Sequence, residues 1–273
     1  MKKKFVIPLA VVGIILITAL IMFSSLVSSK TIEAQLSIEQ GTVLVNEKIV
    51  SGGMELKQGD VIETGTNGKA TVVLYESIVI NLEPETIITL DELIKSNPSV
   101  SQDGGETWNQ VTNLFGIDSY TIKAGNSVAA VRGTSFYLTE EKIIVDKGEV
   151  DYEIDGQKFK VTAGRVVEKI GQEVRERDAK PDESVQLNSQ NERTIVQLKN
   201  LRKLEVEKHP KTVNAVKKKY GITDEDIIKI FEDADRGELD LREFQDKSPV
   251  KVDSVEKIIR ITEKIRELNQ KGD

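Results

Sequence analysis

Between Leu36 and about Ile170, apolar and polar residues alternate with a period of two; the stretch is rich in Val, Ile and Thr and broken at short intervals by Gly, Asn and Asp. Such alternation puts successive side chains on opposite faces of a pleated strand, so an all-β domain is expected over 31–171. GKATVVLYESIVINL (68–82) alternates in this way, and KIIVDKGEVDYEIDGQKFKVTAGRVVEKI (142–170) predicts strand, turn, strand, turn, strand. The turns fall at Gly148, Gly156 and Gly164, where a positive φ is expected, and Asp155-Gly156 is a two-residue hairpin signal. After Ile170 the pattern stops. GQEVRERDAKPDESVQLNSQNER is charged and aperiodic, which predicts a linker over 172–190.

Residues 191–271 predict a small helical region. Pro210 suits a first helical position, TVNAVKKKYG closes on Gly221, and Thr223 precedes DEDIIKIFEDA with its acidic first turn. Asp253 with Glu256 makes a capping-box-like start for VEKIIRITEKIRELNQK. Val255, Ile258, Ile261, Ile265 and Leu268 recur there every three or four residues, with Ile259 beside them. That stripe needs cover from its own helices or from another chain, so self-association through these helices is an expected partnership.

The N-terminus has a different pattern. Three lysines precede an uncharged apolar run from Phe5 to Phe23, which as a helix is about 28 Å long and matches a bilayer core. Residues 5–27 are expected to be an uncleaved transmembrane helix in the lipid bilayer. Residues 1–4 form its cytoplasmic tail, and everything after the helix is extracytoplasmic, a single-pass arrangement.

Composition narrows the chemistry. With 38 Lys+Arg against 45 Asp+Glu the formal charge is -7, which argues against a nucleic-acid partner, and the basic residues are interspersed with acids. There is no cysteine, which removes thiol chemistry and disulfides, and the single histidine, His209, sits in a polar EKHPK context suited to the surface. The β region has no histidine and no Gly-x-Ser-x-Gly elbow, and its carboxylates fall in turns or on alternating strand positions. The expectation is a non-enzyme without catalytic residues, cofactor or metal, binding a protein or a cell-surface polymer.

FEDADRGELDLREF (231–244) approximates an EF-hand loop. Gly237 at the sixth position places Glu243 at the twelfth, but positions one, three and five become Glu232, Ala234 and Arg236, two of which cannot ligate calcium. Sliding the register to use Asp233 and Asp235 displaces both Gly237 and Glu243, so a metal-free connection between helices is expected over 232–243. SQDGGETW (101–108) resembles the Asp-box hairpin of sialidase-like propellers through Ser101, Asp103, Gly105, Thr107 and Trp108. One copy does not make a propeller, and the expectation is a structural hairpin. In it Asp103 accepts from its own turn and Trp108 packs the base.

AAVRGTSF (129–136) places Arg132 among small residues. Ala129, Ala130 and Gly133 leave room for its guanidinium to lie against adjacent strands and tie carbonyls together, so a structural role is expected. With Gly59-Asp60, Thr64-Gly65, Gly68, Ala130-Val131-Arg132-Gly133-Thr134, Phe136, Gly148-Glu149-Val150 and Ala163-Gly164, the β region resembles a FecR domain over about half the chain. Tyr75-Glu76-Ser77-Ile78 departs from that family's usual Asp-Gly-Ser turn. The resemblance implies an extracytoplasmic β module of jelly-roll or short β-helical character with two similar halves, Gly41-Thr42 opening one and Gly133-Thr134 the other. It also implies a structural role for the motif residues. Family members relay a signal across the membrane to a cytoplasmic sigma factor. Here only Met1–Lys4 precede the apolar run, so an anchored binding or scaffold protein is expected first, and a FecR-type signalling regulator second.

Overall fold

The computed structural model describes residues 33–112, 114, 116–210, 213–214, 217–218, 221, 223–246 and 253–270. The expected transmembrane helix, residues 5–27, and the tail before it lie outside the described residues. Among the described residues no helix is long and apolar enough to cross a membrane. The chain divides into two compact units, Thr31–Thr194 and one containing Ile195–Asp273.

The first unit is a pair of nine-stranded sheets. From edge to edge, sheet A runs β18 (Glu173–Asp178), β17 (Arg165–Ile170), β14 (Lys142–Lys147), β13 (Ser135–Leu138), β10 (Thr107–Val111), β7 (Ile78–Leu82), β6 (Lys69–Leu74), β1 (Ala34–Gln40) and β4 (Met54–Leu56). Sheet B runs β16 (Gln157–Thr162), β15 (Glu149–Ile154), β12 (Ser127–Val131), β11 (Tyr120–Ala124), β9 (Ser99–Gly104), β8 (Ile87–Glu92), β5 (Val61–Thr64), β2 (Val43–Val45) and β3 (Lys48–Val50). Neither sheet closes, so the unit is sandwich-like rather than a β-helix.

A jelly roll is also not what forms. Two-strand hairpins alternate between the sheets: β6–β7 in A, β8–β9 in B, β11–β12 in B, β13–β14 in A, β15–β16 in B and β17–β18 in A. β10 is the single strand in this series, crossing sheet A alone between two hairpins of sheet B. Strands flanking one crossing run in the same direction, and β9 and β11 accordingly pair in parallel, with Thr121 opposite Ser99, while β10 pairs antiparallel with β7 and β13.

The alternation sorts side chains as the pattern predicts. Leu36, Val72, Ile80 and Phe136 of sheet A face Ile62, Ile88, Val100 and Ile122 of sheet B in one core, all at 0% exposure. One buried polar pair inside it is formed where the Tyr120 hydroxyl donates to Asn109 Oδ1 at 2.9 Å. The β6–β7 hairpin survives without Asp-Gly because Tyr75 and Glu76 take positive φ, 49° and 54°, while the Tyr75 hydroxyl donates to Leu93 O.

The charged segment expected as a linker is ordered. Glu173–Asp178 form β18, whose Arg175 lies opposite Glu168 and whose Asp178 lies opposite Arg165. Every residue of this strand except Val174 is charged, and it pairs with the charged Arg165, Glu168 and Lys169 of β17 as well as with Val166, Val167 and Ile170, so no apolar period marks it. Helix α1 (Pro181–Glu207) then begins with Pro181 and carries Asp182 and Glu183 in its first turn, where the helix dipole favours acids.

In the second unit, the later half of α1 is followed by α2 (Asp224–Asp235), α3 (Leu241–Asp246) and α4 (Asp253–Asn269). Thr223 caps α2 in a reciprocal capping box with Asp226, and Gly221 sits at φ 68°. Val255, Ile258 and Ile259 of α4 are buried against Ile230, Ala234 and Leu241 of the same chain, so these positions need no second chain to cover them. Part of the helix expected after Pro210 lies outside the described residues.

Candidate functional site

Most of the motif residues lie where the chain turns or crosses between sheets. Asp60 holds its turn by accepting from Lys57 N at 2.7 Å and Asn46 Nδ2 at 2.8 Å, next to Gly59, whose amide donates to Leu90 O at 2.7 Å. Thr64 Oγ1 donates to Glu83 O at 2.6 Å and accepts from Thr86 N at 2.9 Å, and Gly65 N donates to Thr42 O at 2.9 Å. Together these bonds lace the crossings of the first half. In the second half Gly133, Thr134, Gly148 and Gly164 occupy the corresponding corners. A Cβ at Gly148 would lie 2.7 Å from Thr134 Cγ2, so that corner closes only around glycine.

Arg132 departs from expectation. It follows the last residue of β12, is exposed, and makes no hydrogen bond or ion pair among the described residues. The small neighbours do not seat it, because β12 ends at Val131 and the chain has already turned toward sheet A. Thr134, two residues on, is fully buried.

The Asp-box-like segment is not a hairpin. Ser101 and Asp103 lie on β9 in sheet B, whereas Thr107 and Trp108 lie on β10 in sheet A, so SQDGGETW is a crossing. The tying role falls to the neighbour of Asp103. Gln102 donates to Gly105 O at 2.8 Å and accepts from Thr107 Oγ1 at 2.8 Å, while Asp103 is exposed and Ser101 donates to Asp91 at 2.7 Å. The EF-hand-like loop is filled with guanidinium groups. Arg236 bonds Asp233 and Glu238, Asp235 is held by Arg202, and Arg266 donates to the carbonyls of Ala234 and Leu239 at 3.1 Å. Among the described residues no group of three or more potential ligands is placed to hold a metal.

The densest polar constellation lies elsewhere, on the outer face of sheet A beneath the first half of α1. Strand register lines up Ser37, Thr71, Asn81, Trp108, Tyr137 and Ile144 in one row across six strands. Trp108 and Tyr137 pack with ring centroids 4.9 Å apart, and Asn81 and Trp108 are 1% and 5% exposed. Asn81 donates to Gln190 Oε1 at 3.2 Å, and Thr71 donates to Asn81 Oδ1 at 2.9 Å.

Two ionic clusters fix the first half of the helix, one at its first turn and one at Arg193. At one, Glu183 accepts from Arg177 at 2.8 Å, from Lys142 at 2.5 Å and from the amide of Lys180 at 2.8 Å. Arg177 also bonds Glu168, so a single guanidinium bridges β17 and α1. At the other, Arg193 reaches Glu39 at 2.8 Å, Glu83 at 2.5 Å and the carbonyls of Ala70 and Leu82.

The electrostatics lock these acids in their charged form. Arg177, helped by Lys142, holds Glu183 well below the usual carboxylate range, and Arg177 with Arg175 brings Glu168 to about 2. Burial alone would raise Glu83, but bonds from Lys69 and Gln190 and the charge of Arg193 outweigh it and leave it lowered. Burial and the nearby Glu106 raise the Tyr137 hydroxyl above the ordinary tyrosine value. Of this constellation only Trp108 was singled out from the sequence, although Pro181 followed by two acids is a helix start signal inside the segment taken as a linker.

Comparison with known proteins adds a family. Residues 60–187 match the sequence model described as FecR protein. Two crystal structures of a candidate anti-sigma factor from Parabacteroides distasonis are similar at 16% identity and a TM-score of 0.39, over 43% of this chain. The chain spans 59% of the length of that relative. A search of curated proteins returned no match.

Proposed function

From the premise that residues 60–187 form a FecR domain, we propose that this chain is a FecR-type signalling regulator whose sandwich is a non-catalytic, protein-binding module. The family match is the observation that carries this reading, and it favours regulation over the scaffold role. The match extends to residue 187, past β18 and into α1, so the charged strand and the helix start belong to the domain.

The chemistry of the polar cluster supports a binding role. Glu183 and Glu168 are held as anions far below neutral pH and spend their lone pairs on arginine and lysine, so neither can exchange a proton as a general acid or base. The apolar run from Phe5 to Phe23 supplies the membrane tether in this proposal, with the sandwich outside. Transcript profiling of a deletion strain and its complemented parent tests the proposal. A regulator changes a set of genes sharing one sigma-factor promoter class, restored by the full chain. A profile identical to the parent under envelope stress and in rich medium rejects it.

A further inference from the structure

The second unit leaves an apolar groove open between the later half of α1 and α2. Ile230 and Ala234 of α2 pack against Val255, Ile258 and Ile259 of α4, whereas Ile227, Ile228 and Phe231 line the groove. Val206 and Val213 complete its apolar wall. Its volume is about 590 Å³, inside the range of about 300–1,000 Å³ that small-molecule sites occupy. Ile228 is 56% exposed, so aliphatic surface is left to solvent here.

The charges along the groove are not evenly spent. Arg202, 4.3 Å over the Phe231 ring, takes both oxygens of the buried Asp235 at 2.5 and 2.9 Å. Lys199 also turns to Asp235, but only to 3.7 Å, so two cations share one carboxylate. The other pairs are one to one: Lys217 is bonded to Asp224, and Lys203 reaches Glu207 at 3.8 Å. Glu232, the remaining acid of the lining, acts on Arg236 outside it. One positive charge is therefore in excess at Lys199 on the α1 rim, with Lys203 one helical turn away on the same face.

We propose that this groove binds a single-chain anionic amphiphile, its acyl chain against Val206, Val213, Ile227, Ile228 and Phe231 and its carboxylate at Lys199 and Lys203. The chain gains by covering the aliphatic wall, and Arg202 and Asp235 do not oppose it because they satisfy each other. The excess charge selects an anionic head, and the exposed Lys203–Glu207 pair gives way to it at little cost. This goes beyond the regulator proposal and is independent of it, since every residue involved lies past residue 187, where the family match ends.

Displacement of a dansyl-labelled undecanoate from the full chain, held in an amphipathic polymer, tests the site. One saturable site is expected, with dodecanoate displacing the probe about tenfold better than dodecanol. Lys199→Glu is expected to remove that preference. Ile228→Asp, which puts a charge on the apolar wall, is expected to weaken both ligands by about tenfold. Both positions are exposed, so the core is untouched. Should Ile228→Asp lose the parent's helical circular dichroism, Ile228→Trp, which fills the groove with apolar bulk, is read in its place and is expected to abolish probe binding. No saturable binding by the parent, equal displacement by dodecanoate and dodecanol, or binding that survives the Ile228 substitution overturns the proposal.

Discussion

Replacing Gly68 by alanine places a Cβ 2.2 Å from Thr42 O and 2.8 Å from Gly65 N, both backbone atoms that no rotamer change can move. The Thr42 carbonyl already accepts from Gly65 N at 2.9 Å, and Gly68 N donates to Gly65 O at 2.9 Å, so relieving the clash breaks at least one bond of the corner. Overpacking costs about 1–3 kcal/mol, and a buried hydrogen bond lost on relaxation adds about 1–2 kcal/mol, for a sum near ~3 kcal/mol. For a unit of this size that lowers the melting temperature by roughly 6–12 °C. Two control glycines separate space from backbone angle. Gly52→Ala meets nothing within 4 Å at an ordinary φ and should be neutral or slightly stabilising. Gly59→Ala also meets nothing, but at φ +85° it should cost about 1 kcal/mol. Thermal melts followed by Trp108 fluorescence observe the first unit alone. A Gly68→Ala melt within about 2 °C of the parent, or above that of Gly59→Ala, refutes the reading of these corners as backbone-on-backbone contacts.

Arg132→Ala should leave the melting temperature within about 2 °C of the parent, since the side chain is exposed and unpartnered among the described residues; a larger fall in the same melt would mean it is seated after all. Glu168, brought to about 2 by Arg177 and Arg175, and Glu183, lowered by Arg177, both have depressed folded-state values. Their contribution is therefore complete above about pH 4.5 and lost as pH falls toward 2, at most ~3 kcal/mol for Glu168 and about 1–2 kcal/mol after solvent screening. Urea titrations at stepped pH should show that slope and its reduction in Glu168→Gln; an identical slope in the variant contradicts the assignment. In the second unit, Asp235→Ala strands Arg202, which is 4% exposed and bonded to Asp235 at 2.5 and 2.9 Å, at a cost of about 3–5 kcal/mol. Loss of helical circular dichroism on warming measures it, and a melt unchanged from the parent counts against a buried pair.

The sequence from 68 to 82 and from 142 to 170 was enough to place β6, β7 and β14 to β17: in β15 buried and exposed positions alternate and the period shows directly, whereas β6 and β7 are buried on both faces and were marked by their Val and Ile content. The turn glycines were equally legible, since a positive φ or a backbone contact leaves one residue type. Sheet membership was not. SQDGGETW carries every residue of a hairpin motif and forms a crossing, because its fate depends on β7 and β13 on one side and β8 and β11 on the other, all remote in sequence. Arg132 looked seated for a related reason: its small neighbours are visible in the sequence, whereas the end of β12 at Val131 is not. β18 and the start of α1 were hidden because they are themselves made mostly of charged residues. Cross-strand pairing of arginine with glutamate leaves no hydrophobic period to detect. The polar row beneath α1 was hidden for the same reason, since Thr71, Asn81 and Gln110 read as a solvated face until a helix covers them.

Two open nine-stranded sheets leave four edges, and each is guarded. β3 and β4 have three residues apiece, too short to template another strand. β18 is EVRERD, and β16 carries Lys158 and Lys160 on its outward face. Short or charged edges discourage the strand-to-strand addition that begins aggregation. A partner for this molecule must therefore approach a face of the sandwich, and many copies can crowd together without their sheets fusing.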